Sequence, residues 1–255
     1  MKICKFNHGG QAFFGEIHEG FVTPLTVSPF DETLRPGDLP DQIPIGDLVF
    51  SIPLTPSKIV CVGRNYADHA KELGNEVPYS PLLFLKAPSA LIYHEDFILL
   101  PEQSVQVEHE GELGVVIGRK CKSITPDSNP LDYVFGYICM NDVTARDVQR
   151  RDVQFTRGKS FDTFCPVGPY IETVLDTSDL GIITRVNGEI RQDGRTSQMI
   201  FDIPFLVRYI SDQMTLNPGD IIATGTPAGV SVLNEGDVCE VEIEGIGILR
   251  NTVKK

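Results

Sequence analysis

Val107-Glu108-His109-Glu110-Gly111-Glu112-Leu113-Gly114-Val115-Val116-Ile117-Gly118 is the stretch that decides the reading of this chain. As a strand, its side chains alternate between two faces. Val107, His109, Gly111, Leu113, Val115 and Ile117 make one face, mostly apolar and suited to a core. Glu108, Glu110, Glu112, Gly114, Val116 and Gly118 make the other. Three carboxylates then share a face, and the two glycines are expected to leave open space beyond them. Same-face neighbours lie ~7 Å apart, so two glutamates can converge on one ion. Crowded carboxylates raise one another's pKa unless a cation offsets the repulsion. An oxygen-only donor set favours a hard cation, Mg2+ first, with Mn2+ or Ca2+ as alternatives. The competing reading is a solvated edge strand of repelling charges, and the stretch alone leaves the two level.

Working outward, Val134 to Met140 is a strongly apolar strand that ends in Asn141-Asp142. An aspartate there is commonly a turn former, and it is also where a third ligand would be placed. Val143 to Gln149 reads as a polar helix start. Lys58 to Val62, Leu82 to Leu85, Phe97 to Leu100, Asp220 to Ala223, Val238 to Ile243 and Ile248 to Val253 are further strand candidates. Asn187-Gly188 supplies the positive-φ pair of a tight hairpin over residues 185–190. One long helix is expected: Asp202 caps it, Pro204 opens it, Asn217-Pro218-Gly219 ends it, and Phe205, Leu206, Tyr209, Ile210 and Met214 share a face. A shorter helix is expected from Tyr66 to Leu73, with Asn65 as N-cap and Gly74 as stop. Short alternating stretches at 11–17 and 20–25 precede Pro29, Pro36, Pro40, Pro44 and Pro53, whose spacing forbids long regular elements. The sum is a β-rich α+β chain, with a small β-rich N-terminal domain over 1–55 and a main domain over 56–255. No β-α-β alternation supports a doubly wound parallel sheet.

The 255 residues carry a formal net charge of −13, which argues against sequence-independent nucleic-acid binding. No run approaches the ~20 apolar residues of a membrane span, and no signal-peptide pattern opens the chain. Six cysteines without a C-x-x-C pair read as reduced thiols in a cytoplasmic protein, Cys61 and Cys139 as core residues.

Two further features carry chemistry. His69 and Glu72 are i and i+3 on the short helix, so they share a face. A carboxylate beside a histidine raises its pKa and fixes its tautomer, which suits a general base. A surface salt pair is the commoner explanation of such a spacing. The Gly225-Thr226 turn after a strand offers N–H and hydroxyl donors to an anion, although a plain turn is commoner.

Taken together, the motifs resemble the fumarylacetoacetate hydrolase family: VGRNYADH (62–69), HEGELGVVIG (109–118), NDVTARDVQ (141–149), GKSFDTFCPVGP (158–169), VNGEIRQ (186–192), MIFDIP (199–204) and LNPGDIIATGTPAGV (216–230), in family order. The resemblance implies a twisted β-roll or sandwich core and a homodimer. It implies a divalent metal held by Glu110, Glu112 and Asp142, with Glu108 outside the ligand set. Lys159 corresponds to the family's active-site lysine, and His69 with Glu72 to a water-activating pair on a mobile lid, here 66–81. Arg64, Tyr66, Arg146, Gln149 and Thr226 fall at substrate- or water-orienting positions. The stretch between Gln149 and Lys159 is shorter than in acylpyruvase-like members. The function implied is Mg2+-dependent hydrolytic C–C cleavage of a small β-diketo acid. Decarboxylation of an oxaloacetate-like acid and isomerisation of a hydroxymuconate-type diacid share its enolate, and a metal-bearing oxo-acid binding module without turnover is the reading of a different class.

Overall fold

In the computed structural model, residues 1–30 and 39–255 are described, and Pro36 falls outside them. The deciding stretch splits in two. Val107–Glu108 pairs with Thr144–Ala145, and after a break at His109-Glu110 the strand Gly111–Ile117 pairs antiparallel with Val134–Asn141 on one side and Ile221–Ala223 on the other. Because it is central, every residue from Gly111 to Ile117 is buried. Leu113, Val115 and Ile117 face one apolar cluster, with Ile182, Val241 and Leu249, and Val116 faces the other, with Ile138, Met140 and Ile171. The open space expected at the glycines is absent. A Cβ on Gly114 would sit 2.9 Å from Ile138 Cγ2, and one on Gly118 3.0 Å from Phe135 Cβ. Glycine stands there because neighbouring strands approach closely.

Among the described residues the main sheet has twelve strands. It runs from the N-terminal strands through Cys165–Glu172, Val134–Asn141, Gly111–Ile117, Ile221–Ala223 and Ile59–Gly63 to Leu82–Lys86. A second sheet of five strands holds Gly181–Val186, Glu189–Arg195, Val238–Ile243, Gly247–Lys254 and Phe97–Leu99. Most pairs are antiparallel, as the missing β-α-β alternation requires. The N-terminal strand Lys2–His8 pairs with Cys165–Glu172, and Ile3, Phe14 and Leu54 join a main apolar cluster, so these strands extend the large sheet. The hairpin forms as expected, with φ of 54° at Asn187 and 81° at Gly188.

Four α-helices are described: α1 (Ala67–Glu72), α2 (Arg146–Asp152), α3 (Phe155–Lys159) and α4 (Ile203–Gln213). Asp202 caps α4 by accepting from Phe205 N at 2.9 Å. Its core stripe is Ile203, Leu206, Val207, Ile210 and Ser211. The expected stripe is only partly right: Phe205 is 46% exposed and stacks between Phe201 and Tyr209 along the outside. The helix stops before Asn217 because Leu216 turns away to pair its backbone with Cys121. All six cysteines are free and buried. No helix among the described residues is long and apolar enough to cross a membrane.

Asp220 clamps the start of the strand that flanks the deciding stretch. Its carboxylate accepts from Ser57 N (2.8 Å), Ser57 Oγ (2.7 Å), Lys58 N (3.1 Å) and Asn217 N (2.8 Å), and it pairs with Lys58 Nζ. Burial alone would raise its pKa, but the bonds from Lys58, Asn217 and Ser57 outweigh burial and hold it below the usual value. A depressed folded-state pKa contributes stability above the unfolded pKa, and that stability is lost as pH falls through it. Asp220→Asn should therefore destabilise the protein by about 2–3 kcal/mol near neutrality, and by progressively less below about pH 4. Denaturant titrations of both proteins across this range check it; an equal penalty at both ends would contradict it.

Candidate metal centre and catalytic pocket

The break at His109-Glu110 builds the site. Glu110 O accepts from Asp142 N at 2.8 Å and Glu110 N donates to Asn141 Oδ1 at 2.9 Å, so the ends of two antiparallel strands are stitched side by side. Gln192 locks the outer side: its Oε1 accepts from Gly111 N at 2.9 Å, and its Nε2 donates to Thr226 Oγ1 at 2.6 Å and Pro227 O at 2.7 Å. Thr226 Oγ1 in turn donates to Gly111 O. With the backbone held this way, Glu110, Glu112 and Asp142 are buried and present one oxygen each within 4.8 Å of one another.

The expectation of three glutamates on one face fails at Glu108. The break turns it away, and its carboxylate accepts from Arg146 Nε at 2.7 Å and Gln106 Nε2 at 2.6 Å. Arg146 also donates to Glu110, and to Gln149 Oε1 at 2.7 Å. Lys159, at the end of α3, donates to Glu110 Oε2 at 2.6 Å and Asp142 Oδ2 at 2.7 Å. Lys86 donates to Asp142 Oδ1 at 2.6 Å and to Val143 O at 3.2 Å.

These contacts set the charges. Burial would raise the pKa of Glu110, but Lys159 and Arg146 override it and hold the carboxyl far below the usual range. Burial would lower that of Lys159, but Asp142 and Glu110 raise it instead. Among the described residues Glu112 has no cationic hydrogen-bond partner and accepts only from Gly225 N, at 2.8 Å. Burial, then the Asp142 and Glu110 charges, push it well above the ordinary carboxylate value. A set of three buried, all-oxygen donors, one of which cannot carry its charge unaided, fits a hard divalent cation.

Across the pocket, α1 carries His69, which is buried, and Glu72. His69 Nδ1 lies 3.3 Å from Glu72 Oε2, and the Glu72 carboxylate also accepts from Gly229 N at 3.1 Å. The pair is therefore tied to Gly229 and faces the cavity, with His69 buried and Glu72 at its exposed rim. Asn65 is not the N-cap of this helix. Tyr66 occupies that position without a side-chain cap, while Asn65 Nδ2 donates to Thr224 O at 2.8 Å and Phe201 O at 3.0 Å.

One cavity of about 460 Å3 joins these groups. Arg64, His69, Glu72, Glu110, Glu112, Asp142, Arg146, Gln149, Lys159 and Thr226 line it. Tyr66 does not: it is buried in a core cluster, and its hydroxyl has no hydrogen-bond partner among the described residues. Sequence reasoning missed Lys86, Gln192 and Arg150. Lys86 left a trace, as the one charge closing the apolar strand Leu82–Lys86. Gln192 and Arg150 left none, since an isolated polar residue shows nothing of its partner.

Two outcomes are expected. Asp142→Asn should weaken Mg2+ or Mn2+ binding by about 10²-fold or more, since losing even an outer partner of a ligand costs 10–100-fold; calorimetry that finds wild-type affinity would remove Asp142 from the ligand set. The lid expected over 66–81 begins with Tyr66, which is buried in a core cluster. Its helix from Ala67 on buries only His69 and Ala70, so that part has little to hold it closed. Its amide hydrogen exchange should slow when Mg2+ and oxalate are added together, and unchanged protection would count against a closing lid.

The family described as Fumarylacetoacetate (FAA) hydrolase C-terminal matches residues 58–254. A mitochondrial oxaloacetate tautomerase of Bos taurus is 44% identical, over 98% of this chain and 79% of its own. The structure of a 5-carboxymethyl-2-hydroxymuconate delta-isomerase from Mycobacterium smegmatis is 39% identical, covers 100% of this chain and 99% of its own, and superposes with a TM-score of 0.89. A fumarylpyruvate hydrolase from Pseudomonas aeruginosa, solved with Mn2+ and pyruvate, is 31% identical over 79% of this chain and 91% of its own, with a TM-score of 0.74.

Proposed function

Because this chain belongs to the fumarylacetoacetate hydrolase family, we propose that it is a metal-dependent enzyme that forms an enolate from a short 2-oxo acid, with keto–enol tautomerisation of an oxaloacetate-like diacid as its reaction. The observation that carries this is the pairing of buried His69 with Glu72, both of which line the same cavity as Glu110, Glu112, Asp142 and Lys159. A binding module needs a metal and a cation but no base. The tautomerase and isomerase names of its relatives support the reading.

Glu110, Glu112 and Asp142 would hold the divalent ion, Mg2+ or Mn2+, which when bound supplies Lewis acidity for a substrate's keto and carboxylate oxygens. The chain's own groups do the rest. Glu72 accepts from Nδ1 of His69, so Nε2 is left free to take a proton from the carbon beside the keto group. Lys159 uses two of its three N–H bonds on Glu110 and Asp142. The third remains for the oxygen on which negative charge develops, at the buried end of the cavity beside Glu110 and Asp142. Transfer of that proton from His69 Nε2, or of one from water, to the enolate oxygen gives the enol. In the reverse direction the enol O–H loses its proton and protonated His69 delivers one to carbon, leaving the carbonyl.

Hydrolytic C–C cleavage is the second reading. The same His69 Nε2 could deprotonate water, and attack on a distal carbonyl of an acylpyruvate would release the same enolate. The hydrolase name of the Pseudomonas aeruginosa relative favours it. Decarboxylation of an oxaloacetate-like acid passes through this enolate as well. Enol absorbance followed with oxaloacetate and acetylpyruvate, with Mg2+ and with EDTA, separates these reactions. His69→Asn should lower kcat by ~10²–10⁴-fold. Lys159→Met should lower it by ~10²–10³-fold with a smaller effect on KM. Near wild-type turnover in either variant would remove that residue from the chemistry.

A further inference from the structure

We infer that Arg150 forms a second anion subsite at the mouth of the pocket, which makes the ligand of this site a short dicarboxylate; the inference rests on the reading of the site as one for 2-oxo acids. Arg146, Gln149, Arg150 and Val153 all line the cavity. Their spacing of i, i+3, i+4 and i+7 is one stripe along α2 and its end. Exposure rises along the stripe, from Arg146 at 3% to Val153 at 78%. With a helix rise of 1.5 Å per residue, Arg150 stands about 6 Å further along the axis than Arg146.

The two arginines are differently employed. Arg146 is committed to Glu108, Glu110 and Gln149. Arg150 makes its hydrogen bond to a neutral amide, Gln106 Oε1, at 3.3 Å, and among the described residues it has no carboxylate partner. Arg64, which also lines the cavity, likewise has no carboxylate partner among the described residues. A guanidinium facing a cavity without a partner is suited to a carboxylate, which it grips through two parallel hydrogen bonds. Charge balance agrees. Four carboxylates and four cationic side chains line the cavity, so a bound divalent ion leaves an excess that a dianion neutralises.

Val153 limits the length of that dianion. It is the centre of a γ-turn closed by Gln154 N donating to Asp152 O at 2.7 Å, with φ of 65°, a costly conformation for a β-branched residue. The paired hydrogen bonds from Arg157 to Asp152 brace the turn. The result is an apolar side chain fixed just beyond Arg150, where a longer ligand would have to pass.

The test compares a 2-hydroxy diacid with a 2-hydroxy monoacid, neither of which reacts. Malate and lactate are titrated calorimetrically into the Mg2+-loaded protein, wild type and Arg150→Gln, Arg150→Lys. Wild type should prefer malate. Arg150→Gln should reduce the malate-to-lactate affinity ratio by about 10- to 100-fold, as expected for losing a charged hydrogen-bonded partner. Arg150→Lys should recover part of it. A wild type that binds malate no better than lactate, or an Arg150→Gln ratio equal to the wild-type ratio, overturns the subsite. Failure of the underlying reading shows separately, as wild-type protein that binds these acids but does not act on oxaloacetate or acetylpyruvate.

Discussion

Three carboxylates from two strands meet in the interior of this protein, and their mutual repulsion is the constraint on which the rest of the site depends. Glu110 and Asp142 are balanced by Lys159, Lys86 and Arg146, each buried and each within hydrogen-bond reach. Glu112 has no such cation within hydrogen-bond reach among the described residues, and burial, then the Asp142 and Glu110 charges, push its proton affinity upward. Buried charges of this kind persist only when paired or metal-bound. The cations that steady the carboxylates are also those that a substrate anion would meet, so the pairing that keeps the fold tolerable also prepares the chemistry.

The backbone explains how the carboxylates are brought so close. A continuous strand from Val107 to Ile117 would have put Glu108 beside Glu110 and Glu112. The break at His109-Glu110 sends Glu108 to Arg146 instead, and the stitching of Glu110 to Asn141 and Asp142 brings the third acid in from the next strand. Opposite, α1 has few core contacts but holds its His69–Glu72 pair against Gly229. A rigid floor faced by a lightly anchored helix is the arrangement expected where a site must both admit a ligand and exclude water.

Much of this was legible in the sequence for reasons that particular residues make plain. The strands from Gly111, Val134 and Val238, the Asn187-Gly188 hairpin and the Asp202 cap are local signals, and local physics decides them. The central strand's two-sided burial was not legible, because alternation of Glu with apolar residues reads as one wet face, whereas ion pairs from Arg146, Lys159 and Lys86 allow both faces to be dry. Asn65 looked like a helix cap, yet its amide bonds to Thr224 and Phe201, far off in sequence. Tyr66 was expected at the pocket and lies in the core beside it. Gln192 shows the same limit: a residue whose role is to join three distant backbone segments has no local signature.

The most direct test of the central claim is solvent deuterium exchange at the methyl group of pyruvate, followed by proton NMR. Pyruvate is the smallest 2-oxo acid that can form the common enolate, so the measurement does not depend on which reaction the protein completes. The expected result is exchange that requires Mg2+ or Mn2+, stops with EDTA, and is lost in His69→Asn and in Glu112→Gln. Exchange that persists without metal or without His69, or its absence from the metal-loaded wild type, would contradict enolate formation at this site.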